Sequence, residues 1–89
     1  MGVDEKIMWH LTLYTKPECG LCDEAKNAIS LFSAECGLRL EIVDITTDTK
    51  LFDTYRYEIP VLMLDGTEIA RHHISLQKLR VIRKRLGGA

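Results

Sequence analysis

His10-Leu11-Thr12-Leu13-Tyr14-Thr15-Lys16-Pro17-Glu18-Cys19-Gly20-Leu21-Cys22 is the stretch on which the reading of this chain turns. Its first six residues alternate apolar and polar side chains and are rich in β-formers, the pattern of a half-buried strand. Pro17 and Gly20 interrupt that strand, so residues 16–20 are expected to form a loop. From Cys19 onward the period changes. Leu21, Ala25, Ala28, Ile29, Phe32 and Cys36 recur at spacings of three or four, one apolar stripe on a helix running to about Glu35. Gly37 is expected to end that helix at the C′ position. A Cys-x-x-Cys pair therefore falls where a strand ends and a helix begins.

That placement has a chemical consequence. The first thiol lies at the positive end of the helix dipole, with free backbone N–H groups aimed at it. Both features stabilise thiolate, the reactive form. The second thiol sits one turn further in, within reach of a mixed disulfide formed on the first. As a staple the pair would gain little: closing a four-residue loop is worth only ~2 kcal/mol in the chain-entropy model. Redox chemistry at Cys19 and Cys22 accounts for the motif better than stapling does. Lys16, three residues before Cys19, adds a positive charge that favours thiolate, and Glu18 opposes it.

Reading outward, Leu38 to Ile45 is expected as a second strand, with Thr46, Thr47 and Asp48 as turn and N-cap residues. A short helix with Leu51, Phe52 and Tyr55 on one face follows. Val61 to Leu64 is a third strand, Asp65-Gly66 a two-residue hairpin and Thr67 to Arg71 a fourth strand. Ser75 can cap a last helix that turns Leu76, Leu79, Ile82 and Leu86 inward, with Gly87 and Gly88 stopping it. The order β-α-β-α-β-β-α makes an α/β domain. A right-handed crossover joins a parallel pair, and the hairpin adds an antiparallel edge to give a mixed four-stranded sheet with three helices.

The bulk numbers agree. A chain of 89 residues holds one domain, here residues 1–89, with residues 1–8 as a flexible polar lead-in. Apolar residues at 46% suffice for one core, and 28% charged residues give a soluble surface. A net charge of −1 supplies no field that would gather nucleic acid or an anionic membrane. The basic run Arg80, Arg83, Lys84 and Arg85 complements a helix C-terminus. No segment reaches the ~20 apolar residues of a membrane span. The first residues lack the order of a signal peptide. A cytoplasmic monomer is expected. Three cysteines, an odd count, argue against a secreted disulfide scaffold.

Other chemistry-bearing residues bear on metal binding. A structural zinc site needs four ligands. Beyond the pair, only Cys36, His10, His72 and His73 offer soft ligands. Cys36 lies on the apolar stripe and reads as a buried inert thiol. His72 and His73, adjacent on an extended segment, point to opposite sides. No metal site is expected.

Tyr14 to Cys22, Val43-Asp44-Ile45, Ile59-Pro60-Val61 and Asp65-Gly66, taken in this order, resemble a glutaredoxin over residues 10 to 86. The run Cys19 to Ala25 is similar to a glutaredoxin-like group of small proteins of poorly defined function. The resemblance implies a thioredoxin-like fold and a thiol–disulfide oxidoreductase in which Cys19 is the nucleophile and Cys22 the resolving thiol. It implies a cis Ile59–Pro60 bond opposite the pair, with the Ile59 backbone open to a bound peptide or glutathione. Lys16 matches the glutaredoxin lysine that contacts the glycyl carboxylate of glutathione. With Gly20, Leu21, Ile59 and Pro60 it makes up the implied substrate-contacting set. No cofactor is implied as tightly bound; glutathione is the implied reductant, and protein or small-molecule disulfides are the implied partners.

The chain departs from the family in three places. Glutaredoxins carry Pro-Tyr between the cysteines, where this chain has Gly20-Leu21. They follow the fourth strand with Gly-Gly and an aspartate, where it has Arg71-His72-His73-Ile74-Ser75. The buried aspartate of thioredoxins has no counterpart in the first strand. Two other readings stand beside the enzyme: a metal or iron–sulfur module shared between two copies, and a thioredoxin-fold adaptor without turnover.

Overall fold

The computed structural model describes residues 8–86, so the expected lead-in lies outside it except for Met8, and the stops expected at Gly87 and Gly88 lie outside it entirely. Strand β1 (Trp9–Thr15) buries Trp9, Leu11, Leu13 and Thr15 on one side and turns His10, Thr12 and Tyr14 to the other, as period-two alternation requires. Helix α1 (Gly20–Phe32) crosses over to β2 (Leu38–Asp44), which pairs with β1 in parallel. A 3-10 turn, Ile45–Thr47, leads into helix α2 (Thr49–Tyr55). Strands β3 (Val61–Leu64) and β4 (Thr67–Arg71) and helix α3 (Leu76–Arg85) complete the order β-α-β-α-β-β-α. The sheet runs β2-β1-β3-β4, with β3 antiparallel to both of its neighbours. This is the mixed four-stranded sheet with three helices that the sequence implied.

Local chemistry sets the joints. Asp65 and Gly66 both take positive φ (50° and 85°), the requirement of the tight hairpin turn between β3 and β4. Pairing of Leu62 with Ala70 and of Met63 with Glu68 leaves Ile69 as an extra residue, a bulge in β4. Asp48 caps α2, its side chain accepting from the backbone N–H groups of Lys50 (2.9 Å) and Leu51 (3.1 Å). Ser75 caps α3 by accepting from the Lys78 N–H at 3.1 Å.

The main core lies between β1, β3 and the helices α1 and α3, where Leu11, Leu13, Ile29, Phe32, Leu62, Ile74 and Leu79 are essentially inaccessible. The ring of Trp9 packs on Phe32 with centroids 5.7 Å apart. A second, smaller cluster stands apart from this core. It joins Cys22, Ile45 and Ile59 to Tyr14, Cys19, Leu51, Phe52 and Tyr55.

The structure corrects five readings of detail. Helix α1 ends at Phe32 with Ser33 as its C-cap, three residues short of Glu35. Gly37 is not its C′ residue and does not adopt positive φ. The chain instead leaves α1 through turn bonds from Ala34, Glu35 and Cys36 to Leu31 and Phe32, and Arg83 donates to the Glu35 carbonyl at 3.0 Å. Leu21 is only half-buried, and the inner stripe begins with Cys22. Strand β2 stops at Asp44, because the Asp44 carboxylate accepts from both the backbone N–H (2.9 Å) and the hydroxyl (2.6 Å) of Thr46 and turns the chain. Leu86 is 55% exposed rather than inward, since α3 ends at Arg85, beyond the edge of the core.

Candidate active site

The loop between β1 and α1 delivers Cys19 to the N-cap of α1. Glu18 sits in the left-handed region (φ 55°), an uncommon conformation for a residue with a side chain, and redirects the chain out of β1. Cys19 follows in extended geometry (φ −120°, ψ 108°) and its side chain does what a serine or aspartate does at an N-cap. Its Sγ accepts a hydrogen bond from the Cys22 backbone N–H at 3.2 Å. Its carbonyl accepts from the N–H groups of Cys22 and Asp23, each at 3.1 Å. An N–H at the first turn of a helix is the partner that a negative sulfur takes.

Cys22 is one turn along and faces inward, 1% exposed. Burial is the main cause that pushes its thiol up to about 11, and the hydrogen-bonding side chain of Cys19 adds to the rise. The Lys16 backbone and the charge of Lys26 pull the other way. The two sulfurs are thus unequal: Cys19 is partly accessible and Cys22 is a buried, neutral thiol at pH 7. No disulfide joins any of Cys19, Cys22 and Cys36.

Ile59 closes the cluster from the α2–β3 side, and its bond to Pro60 is cis. Pro60 is fully buried, and its carbonyl accepts from the His72 N–H at 2.8 Å, which ties the loop to the end of β4. Tyr14 and Tyr55 stack beside the thiols with centroids 4.8 Å apart. Burial holds the Tyr14 phenol above its ordinary range, with Tyr55 and Glu41 adding to the effect.

Of the expected site residues, Cys19, Cys22 and Ile59 come together in one cluster, with Pro60 next to Ile59. Gly20 is exposed at the first position of α1, with no atom within 4 Å of where a Cβ would stand, and Leu21 follows it, half-buried. Lys16 is exposed, and its bearing on Cys22 runs through its backbone. His72 does not lie on the expected extended segment but takes left-handed geometry (φ 65°); its Nε2 lies 3.3 Å from Glu58, and His73 Nδ1 lies 3.9 Å from Glu24. Among the described residues no three His, Cys, Asp or Glu side chains gather as a metal set. Cys36 is 7% exposed in the main core, and burial raises its thiol.

Three features near the thiols had no sequence signal strong enough to find them. Ile45 belongs to a strand pattern, yet it turns into the thiol cluster. Arg71 bridges Glu58 (2.7 Å) and Glu68 (2.5 Å), which links the segment before Ile59 to β4. Arg56 lies over the rings of both Phe52 (5.5 Å) and Tyr57 (4.7 Å).

Comparison with known proteins adds the family. The model of a family described as Glutaredoxin-like domain (DUF836) matches residues 10–82. Among solved structures, a structural-genomics target protein, XcR50 from X. campestris, is 32% identical, with 89% of this chain and 97% of that chain covered and a TM-score of 0.71. Protein Ne2328 from Nitrosomonas europaea is 20% identical over 82% of this chain and 88% of its own, at a TM-score of 0.72. Thioredoxin-2 of a malaria parasite, described as a component of its protein secretion machinery, is 18% identical over 88% of this chain and 82% of its own, at 0.66. The last two likenesses are of fold.

Proposed function

The chain belongs to the glutaredoxin-like domain family, a thioredoxin-fold group whose membership supports a redox-type role, and from that premise we propose that it is a dithiol–disulfide oxidoreductase. The observation that carries the proposal is the inequality of the two thiols: Cys19 accepts an N–H at a helix N-cap, while Cys22 stays buried and protonated one turn away.

The chemistry follows from that inequality. The Cys19 thiolate attacks one sulfur of a substrate disulfide, forming a mixed disulfide and releasing the other sulfur as a thiolate, which takes a proton from solvent. Cys22 then loses its proton and attacks the Cys19 sulfur. The second substrate thiolate leaves, and a Cys19–Cys22 disulfide remains. Counted from the dithiol, the protein gives up two electrons and, to solvent, the protons of Cys19 and Cys22; the substrate takes the two electrons, and its two thiolates take up two protons. An external thiol or dithiol reductant resets it. The high value of Cys22 keeps it from competing as first nucleophile. The half-buried Leu21 and the Ile59 backbone would bound the approach, with Lys16, Gly20 and Pro60 completing the contact set. Two thiols are half of a four-ligand structural metal site, and no described side chain adds a third.

The pair also gives stability a pH dependence. Below pH 9 the Cys22 thiol keeps its proton in both folded and unfolded protein, so it contributes nothing. Between the ordinary value of 9.0 and about 11 the unfolded thiol ionises and the buried one does not. The unfolded state is then favoured, and stability falls as pH rises, by about 3 kcal/mol in all. A disulfide-bonded Cys22 does not titrate. Melting temperatures measured from pH 8 to 11 should therefore fall more steeply for the dithiol form than for the disulfide form. Cys36 and Tyr14, both raised, add the same alkaline loss to each. Parallel curves would contradict the buried setting of Cys22.

Turnover tests the activity itself. The assay follows reduction of a glutathione mixed disulfide on a small thiol, recycled by glutathione with glutathione reductase in one arm and by thioredoxin reductase in the other. Turnover in either arm supports the proposal and identifies the reductant. No turnover in both, with Cys19 and Cys22 titratable, removes it in favour of the adaptor reading.

A further inference from the structure

Tyr57 is the most exposed large apolar residue in the described chain, at 76%, yet it does not hang freely. The Arg56 guanidinium lies 4.7 Å from its ring centroid and donates to its hydroxyl at 2.6 Å. The same guanidinium lies 5.5 Å from the centroid of Phe52. Phe52 in turn packs into the cluster that holds Cys22, Ile59 and Cys19. A brace therefore runs from the thiol cluster through Phe52 and Arg56 to an aromatic face standing in water. Ile59, whose bond to Pro60 is cis, is two residues on, so the Cα atoms of Tyr57 and Ile59 stand within about 7 Å of each other.

An exposed aromatic side chain normally loses rotamer freedom when it binds. Here one cation–π contact and the hydroxyl hydrogen bond, both from Arg56, have already ordered it. Tyrosine is also among the residues that dominate protein contacts, because its ring offers large area at low entropic cost. A small disulfide that reaches only Cys19 would gain nothing from a ring beyond Ile59. A polypeptide running past Cys19 and Ile59 would meet it.

Resting on the oxidoreductase reading, we propose that Tyr57, braced by Arg56, is a specificity-determining platform that selects polypeptide disulfides bearing a large apolar residue beside the cystine. The ring stacks on that flanking side chain.

The test compares kcat/KM for three probes: a peptide dimer joined by one cystine with phenylalanine on both sides of each cysteine, the same dimer with glycine there, and 2-hydroxyethyl disulfide. Aromatic pairs of this kind are worth enough for a preference of about fivefold for the phenylalanine peptide over the glycine one. Tyr57→Ala is expected to collapse that ratio to about one and to leave the small disulfide within twofold. Tyr57→Phe keeps the ring and should keep most of the preference. An unchanged melting temperature in Tyr57→Ala, expected for so exposed a side chain, excludes a folding effect. A ratio that survives in Tyr57→Ala, an absent preference in the unsubstituted protein, or an equal loss on all three probes overturns the platform while the oxidoreductase stands. Failure of the unsubstituted protein on all three overturns both.

Discussion

Cys19→Ser is expected to lose disulfide-reducing turnover by a factor on the order of a thousand or more, the scale on which removal of a nucleophile costs an enzyme. The substituted oxygen keeps the N-cap role: serine is a preferred N-cap and can accept the Cys22 N–H that the sulfur accepts at 3.2 Å. The fold is therefore retained, and the melting temperature should move by only a few degrees. What disappears is the atom that can enter a disulfide. Cys22→Ser should fail differently. Cys19 still attacks, but nothing inside the protein resolves the product, and the chain accumulates with half of the substrate disulfide attached. A mass shift in Cys22→Ser that is absent in Cys19→Ser would assign the two roles. Labelling of both variants, or of neither, would show that accessibility and capping at Cys19 do not set which thiol reacts first.

The second large effect is on stability. Phe32 is fully buried at the last residue of α1 and meets the Trp9 ring from β1. Phe32→Ala removes that ring from the main core, where Trp9, Leu11, Leu13 and Ile29 are also buried, and leaves a void among them. The expected loss is about 3–5 kcal/mol. Against the ~5–15 kcal/mol that stabilises a typical domain, that is a large fraction. Urea unfolding should show a lower midpoint with an unchanged slope. A midpoint shift worth under about 1 kcal/mol would mean that the core is not organised around this ring.

Why the frame was legible and the rim was not follows from range. Strand β1, the α1 stripe from Ala25 to Phe32, the Asp65-Gly66 turn and the Ser75 and Asp48 caps are each specified by residues within a few positions of one another, and they stand in the structure to within a residue. The cis Ile59–Pro60 bond came from resemblance, because most prolines are trans and nothing local distinguishes this one. The end of α1 misled because Gly37 is a good stop signal, whereas the helix yields earlier to turn bonds and to Arg83 reaching from α3. The Arg83–Glu35 contact spans 48 positions and leaves no local trace. Ile45 looked like strand because its own side chain is a strand former; the Asp44–Thr46 hydrogen bonds decided otherwise. The Glu58–Arg71 bridge and the Arg56 brace consist of common surface residues whose pairing only the fold reveals.

The charge around Glu35 has the same character. Arg80 donates its Nε to Glu35 at 2.9 Å and holds the carboxyl below its ordinary range. The pair is exposed, so it adds little to stability.

The measurement that tests the central claim most directly is a mass map of the fully reduced protein after reaction with one equivalent of 2-hydroxyethyl disulfide. The expected product has lost two hydrogens, carries no adduct, and yields a single bridged peptide joining Cys19 to Cys22, with Cys36 still free. Protein that stays a dithiol, that keeps the hydroxyethyl adduct on Cys19 without resolving it, or that bridges through Cys36 would contradict the assignment of Cys19 and Cys22 as a dithiol redox pair.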